Sequence, residues 1–167
     1  NGYNFLGYNQ GLASSNVSDK NGHGTHIAGI IGAVTNNKIG ISGIVNKVEI
    51  LPIKFLDRNG RGNQSEAAKA IIYATDMGAK IINCSWGFTK YSNILREAIE
   101  YAHSKKVIII ASAGNGNSNV KEYPASFKNV INIGSHNKNN IKSTFSNYGE
   151  HIDFMMIGEN IISSTPN

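Results

Sequence analysis

The run Val107-Ile108-Ile109-Ile110-Ala111 restricts the fold more than any other stretch of this chain. Consecutive apolar residues without polar alternation read as a strand buried on both faces, which is the habit of strands in parallel sheets. The neighbouring stretches alternate with it. Val48 to Leu56 reads as an apolar strand, interrupted by Pro52 and ended by Asp57-Arg58-Asn59-Gly60. Gln64 to about Met77 reads as a helix with Asn63 as N-cap, Glu66 following it, a buried stripe of Ala68, Ile71, Ile72 and Thr75, and Gly78 as its stop. Lys80 to Trp86 is the next strand, and Ile94, Leu95, Ala98, Ile99 and Ala102 mark another amphipathic helix. Alternating strands and helices predict an α/β chain, a three-layer αβα arrangement with a mainly parallel sheet covered by helices on both faces. Sheets of that kind keep their chemistry at the carboxyl ends of the strands. Two such ends stand out: Asn83-Cys84-Ser85-Trp86-Gly87 and Ala111-Ser112-Ala113-Gly114-Asn115-Gly116.

Ahead of these lies Asp19-Lys20-Asn21-Gly22-His23-Gly24-Thr25-His26-Ile27-Ala28-Gly29, where a turn at Asn21-Gly22 hands over to a small, apolar run from Thr25 to Val34 that reads as a buried helix. A histidine at that junction is held by the helix while its ring faces a cleft, which suits a general base. Two histidines so spaced could instead share a metal, but His23 and His26 lack the glutamate of the zinc-protease pattern and no third ligand follows at helical spacing. His26, among Ile27, Ala28 and Ile30, reads as a structural core histidine. The first twenty residues, up to Lys20, read as a loop or edge strand anchored by Tyr3, Phe5, Leu6 and Leu12.

At 167 residues the chain is one domain's worth. Its net charge of +5 comes from lysines scattered among asparagines rather than gathered on one face, so a nucleic-acid partner is not expected. Cys84 is the single cysteine, which excludes an internal disulfide. No stretch approaches a membrane span, and no secretory signal opens the sequence, which reads as a processed product or an excised piece.

Acyl transfer needs a donor aimed at the oxygen that becomes negative. Asn115 offers a carboxamide on a glycine-hinged turn directly after the apolar strand, although by spacing alone such an Asn-Gly pair is only a turn. The whole set resembles the subtilisin-like serine proteases. Asn21 to Gly29 is similar to their histidine motif, whose first histidine is the triad base, and Ala113-Gly114-Asn115 to their oxyanion-hole segment. Ser85-Trp86-Gly87 is similar to their substrate-pairing strand, with Trp86 in place of the common leucine and Phe88 where a second glycine is frequent. Tyr123-Pro124-Ala125, the segment from Asn129 to Ser135, the segment from Ser143 to Gly149 and that from Ile161 to Pro166 follow in the family's order.

The resemblance implies His23 as base and Asn115 as oxyanion donor. It implies substrate binding by Ser85, Trp86, Gly87, Ala113 and Gly114, with Glu122 on the floor of the pocket for the residue before the cleaved bond. A carboxylate there favours Lys or Arg; the alternative is a surface glutamate in a loop. The turn from Asn36 to Ile41 resembles the family's calcium loop, which implies a structural calcium near Asn37, but calcium takes six to eight oxygens including carboxylates, and the family's main aspartate ligand falls before Asn1. Catalysis itself needs no cofactor. The implied partners are a peptide or protein substrate and a propeptide, and the implied location is extracellular or in the secretory pathway.

The departures are specific. Neither the aspartate motif nor the serine motif of a Ser-His-Asp triad is present, so the chain reads as the central part of the peptidase domain, truncated at both ends and inactive by itself. Asp19 is too close to His23 in sequence to reach behind the imidazole, and Ser85 and Ser112 align with substrate-strand and pocket positions. Met155-Met156-Ile157-Gly158 replaces the family's Met-Ala-Pro-Gly, which implies local repacking. The alternative to a protease is a pseudoprotease that binds peptides with an incomplete triad, and a metal-dependent hydrolase is the more distant rival.

Overall fold

The computed structural model of the chain describes residues 2–166, in two compact units: residues up to 66 together with those from 161 onward, and residues 67–160.

In the first unit, β1 (Tyr3–Asn4) and β2 (Ile53–Lys54) form a short parallel pair, with Tyr3 opposite Ile53 and Asn4 opposite Lys54. Phe5 and Phe55 are its buried aromatic core. The expected strand from Val48 to Leu56 is therefore only two residues long. Val48 and Ile50 are exposed, Pro52 has no N–H to donate, and residues 53 and 54 alone have a partner in β1. Helix α1 spans His23–Gly32, two residues ahead of the predicted start. It is less buried than its composition suggests: Gly29 is buried, whereas Ile27, Ala28 and Ile30 are half-covered.

In the second unit, β3 (Ile81–Cys84), β4 (Ile108–Ser112), β5 (Val130–His136) and β6 (Phe154–Ile157) lie side by side in chain order, every pair parallel. Helix α2 (Gln64–Asp76) leads into β3, and α3 (Asn93–Ser104) makes the crossover from β3 to β4. The α2 cap is as read, since Asn63 Oδ1 accepts from the Glu66 N–H at 2.9 Å, and Gly78 ends the helix region at φ +84°. Its buried face holds Ala67, Ala68, Ala70, Ile71, Ala74 and Thr75, while Ile72 points out at 39% exposure. In α3, Leu95, Ala98, Ile99 and Ala102 are buried and Ile94 is exposed. Burying Leu95 and Ile99 contributes about 1.5–3 kcal/mol each. The Tyr101 hydroxyl donates to Asp76 Oδ1 at 2.6 Å and ties α3 to the end of α2.

The β4 strand is buried on one face rather than two. Ile109 and Ala111, beside Cys84, Val130 and Asn132, lie on the covered face. On the other, Ile81 and Ile108 are paired across β3 and β4 and both exposed, as are Phe154 and Met156 on β6. Runs of isoleucine do not say which residue lacks a cover. The sulfur of Met155, the methionine shared with the family's motif, sits directly on Gly134, where a Cβ would overlap it, whereas Met156 and Ile157, the two departures from that motif, are both exposed. Burial pushes the Cys84 thiol up to about 12 and leaves it inert.

Candidate active site

The residues singled out in the sequence fall into two groups, His23 in the first unit and the strand-end residues in the second.

His23 is the first residue of α1, exposed, and preceded by Gly22 at φ +99°. Gly22 has no side chain to cap the helix, so the orphan N–H groups of the first turn need another acceptor. Asp19 supplies it. Its Oδ1 accepts from the N–H groups of Asn21 at 2.9 Å and Gly22 at 2.8 Å, and its Oδ2 from the Thr25 N–H at 2.9 Å and the Thr25 hydroxyl at 2.7 Å. Partial burial alone would raise the Asp19 pKa. The four hydrogen bonds, from Gly22, the Thr25 hydroxyl and amide, and Asn21, outweigh it and hold the carboxyl far below its ordinary range. Asn21 closes the turn from the other side, its Nδ2 donating to Arg58 O at 2.9 Å.

His26 is half-buried rather than part of the core, its Nε2 lying 3.2 Å from Ile161 O. Around it the segment from Ile161 to Pro166 is laced along α1. The Ser163 hydroxyl donates to His26 O at 2.7 Å and the Ser164 hydroxyl to Thr25 O at 2.9 Å. A Cβ on Gly29 would overlap the Ser164 hydroxyl, and Pro166 Cδ lies 3.5 Å from where a Cβ on Gly22 would stand.

In the second unit, the ends of β3 and β4 are neighbours, with Cys84 opposite Ala111. Past them run Ser85-Trp86-Gly87 and Ala113-Gly114-Asn115. Among the described residues, no strand or bridge includes residues 85–87; the next pairing is the antiparallel bridge of Phe88 with Tyr123, through N–H···O bonds of 2.8 and 2.9 Å. Asn115 is exposed on the loop after β4, Ala113 is buried and Gly114 has φ +103°. Trp86 stacks edge-on against Phe88, centroids 5.8 Å apart. Ser85 accepts from Asn83 Nδ2 at 2.8 Å, and Ser112 is half-buried at the end of β4.

The Glu122 carboxylate lies between these two segments. A Cβ on Gly87 would come within 2.5 Å of its Oε2, and one on Gly114 would overlap its Oε1. Among the described residues it has no ion pair; Asn147 Nδ2 donates to it at 3.3 Å. The carboxylate is thus set against two glycines and half-buried, a different situation from a loop glutamate in open solvent.

The sequence marks Asn147 only by its place in the motif from Ser143 to Gly149, and Asp19 only by its closeness to His23. The available signal for Asp19 was an acidic residue shortly before a glycine that cannot cap the following helix. Asn37 lies in the loop that resembles the family's calcium loop. Its Oδ1 accepts from the Ile39 N–H at 3.0 Å and closes a tight turn, and no cluster of three or more acidic, His or Cys side chains that could hold a metal occurs among the described residues. The Asn36 to Ile41 loop supplies neutral oxygens only and does not by itself make a calcium site.

The second unit thus carries a parallel sheet whose glycine-bearing strand ends flank a carboxylate, and the first unit a helix that begins with a histidine, an arrangement of the α/β class. The subtilase family model matches residues 3–167, and the chain belongs to that family. It is 44% identical over 146 residues to the thermophilic serine proteinase of Bacillus sp. (strain AK1), covering 87% of this chain and 36% of that protein. It is 42% identical to thermitase of Thermoactinomyces vulgaris, covering 91% and 54%, and 37% identical to the minor extracellular protease Epr of Bacillus subtilis (strain 168), covering 95% and 24%. Among solved structures it is similar to a protease from Pseudoalteromonas arctica PAMC 21717, with TM-score 0.87, 28% identity, and 99% of this chain against 63% of that one. It is also similar to a mutant of the protease domain of PatA, with TM-score 0.80, 27% identity, and 89% against 58%. These likenesses establish the three-layer α/β subtilisin-like fold. The chain spans about a third to two thirds of the two structures and of the first two relatives it matches.

Proposed function

We propose that a protein carrying this chain, and supplying a serine and an aspartate to it, is a serine endopeptidase. The serine hydroxyl attacks the scissile carbonyl carbon, its proton passes to His23, and the Asn115 carboxamide donates to the oxygen that becomes negative. His23 then delivers the proton to the leaving amine as the C–N bond breaks, and water releases the acyl group by the same steps in reverse order. Residues 85–87 and 113–114 hold the substrate as an added strand through main-chain hydrogen bonds.

The observation that carries this reading is the position of the Glu122 carboxylate against Gly87 and Gly114. Two neighbouring strand ends run on without strand partners among the described residues, and a carboxylate sits between their glycines. An extended peptide laid between those segments would lower a side chain toward Glu122, and Lys or Arg is the complementary choice. Peptide and protein substrates, and a propeptide before maturation, are the partners that follow. Action outside the cytoplasm is supported by the name of the relative Epr, an extracellular protease. Calcium enters only as a structural ion whose carboxylate ligands would have to come from elsewhere than the Asn37 loop.

The test is turnover of matched Lys and Leu peptides by the complete protein. Asn115→Ala should lower kcat by about a hundred- to a thousandfold on both, and Glu122→Gln should cut the Lys-over-Leu preference by on the order of tenfold or more. Equal cleavage of the two peptides by the unmodified protein would remove the role of Glu122. Failure of a serine-directed phosphonate to label the protein would favour the pseudoprotease.

A further inference from the structure

Asn115 and Glu122 project from one loop system whose shape is set by a residue outside it. Asn147 is fully buried, at 0% exposure, and every polar atom of its carboxamide is used. Its Nδ2 donates to Ala113 O at 2.9 Å and to Glu122 Oε1 at 3.3 Å. Its Oδ1 accepts from the N–H groups of Gly116 at 2.9 Å and Ser118 at 3.2 Å, and its own N–H donates to Gly114 O at 3.0 Å. The backbone on both sides of Asn115 is therefore bound to this one residue.

Asn147 is itself anchored. The Ser146 hydroxyl donates to Asn147 O at 2.9 Å and accepts from the Ser135 N–H on β5 at 2.9 Å. Lys142 Nζ bonds Ser143 O at 2.9 Å, Ser146 O at 3.1 Å and Asn117 Oδ1 at 2.8 Å, while Asn117 N–H donates to Phe145 O at 2.8 Å and Tyr148 N–H to Ser118 O at 3.0 Å. Segment 142–148 thus clamps loop 113–118 to the edge of β5.

Resting on the protease reading above, we infer that Asn147 is a positioning residue with two outputs, setting where the Asn115 carboxamide points and fixing the Glu122 carboxylate between Gly87 and Gly114. Gly114, at φ +103°, is a backbone hinge next to Asn115, so without Asn147 the loop is free to turn there. A displacement of about 1 Å at the oxyanion donor is enough to cost on the order of a hundredfold in rate.

The experiment is a double-mutant cycle in the complete protein, read as kcat and KM on Leu and Lys peptides. Asn147→Ala is expected to lower kcat on the Leu peptide about ten- to a hundredfold with KM nearly unchanged, and to lower it less than about threefold when Asn115 is already Ala, because a misplaced donor that is absent cannot be lost twice. It should also reduce the Lys-over-Leu preference, and leave it unchanged in the Glu122→Gln background. Asn147→Asp keeps the acceptor for Gly116 and Ser118 while losing both donors; if the alanine variant fails to fold, this one is expected to show the same non-additivity. Equal losses of kcat in the Asn115 and Asn115→Ala backgrounds would overturn the inference while leaving the protease reading intact. No effect of Asn115→Ala alone would overturn that reading itself.

Discussion

The residue with the least expected part is Asp19. Three positions before a glycine that cannot cap α1, it does from a distance what an N-cap side chain does at the junction, accepting from the Thr25 amide within the first helical turn. Its ionised form is favoured by those hydrogen bonds over the opposing effect of burial, so its pKa is depressed in the folded chain. A depressed carboxyl stabilises the fold above its unfolded pKa, about 3.9, and that contribution disappears as pH falls through the folded value. Asp19→Asn is therefore expected to cost about 1 kcal/mol at pH 7, with the gap from the unmodified protein narrowing below about pH 4. Urea titrations of both proteins from pH 7 down to 3 check this, and a gap that stays constant would show that the charge is not what matters.

At the scale of elements, α1 explains what could and could not be seen beforehand. Its histidine junction was legible because a turn pair, a histidine and a small apolar run each leave a mark in sequence. Its depth of burial was not, since apolar composition says that a helix face wants cover and not which segment provides it. The cover is the segment from Ile161 to Pro166, whose serine hydroxyls bond the Thr25 and His26 carbonyls and whose closeness requires Gly29. Gly29→Ala would raise intrinsic helix propensity by about 1 kcal/mol, but its Cβ would overlap the Ser164 hydroxyl. Overpacking costs about 1–3 kcal/mol, so the melting temperature is expected to fall; an increase would show that the segment does not hold α1. Helix α2 was legible nearly residue by residue from its cap and stripe, and α3 from its stripe alone, without its Ser92 cap; in both, one isoleucine, Ile72 or Ile94, faces out. The strand from Val48 shrank to β2 because pairing depends on a partner of matching length, which local sequence does not reveal. Glu122 was located by motif order, but that it touches two glycines and is held by Asn147 came only with the tertiary structure.

At the scale of the whole molecule, family membership and a fold shared over 99% of the chain with a solved protease support one claim. It is the proposal made above, that His23, at the start of α1, and Asn115, on the loop after β4, work on one peptide carbonyl in the complete protein. The most direct measurement is a crystal structure of the complete protein bound to a lysine-ended peptide aldehyde. The account predicts a hemiacetal with the catalytic serine, its oxygen accepting from Asn115 Nδ2 within about 3 Å, His23 within hydrogen-bond reach of the serine oxygen, and the lysine ammonium at Glu122. An aldehyde bound without contact to Asn115, or bound with His23 facing away from it, would contradict the claim.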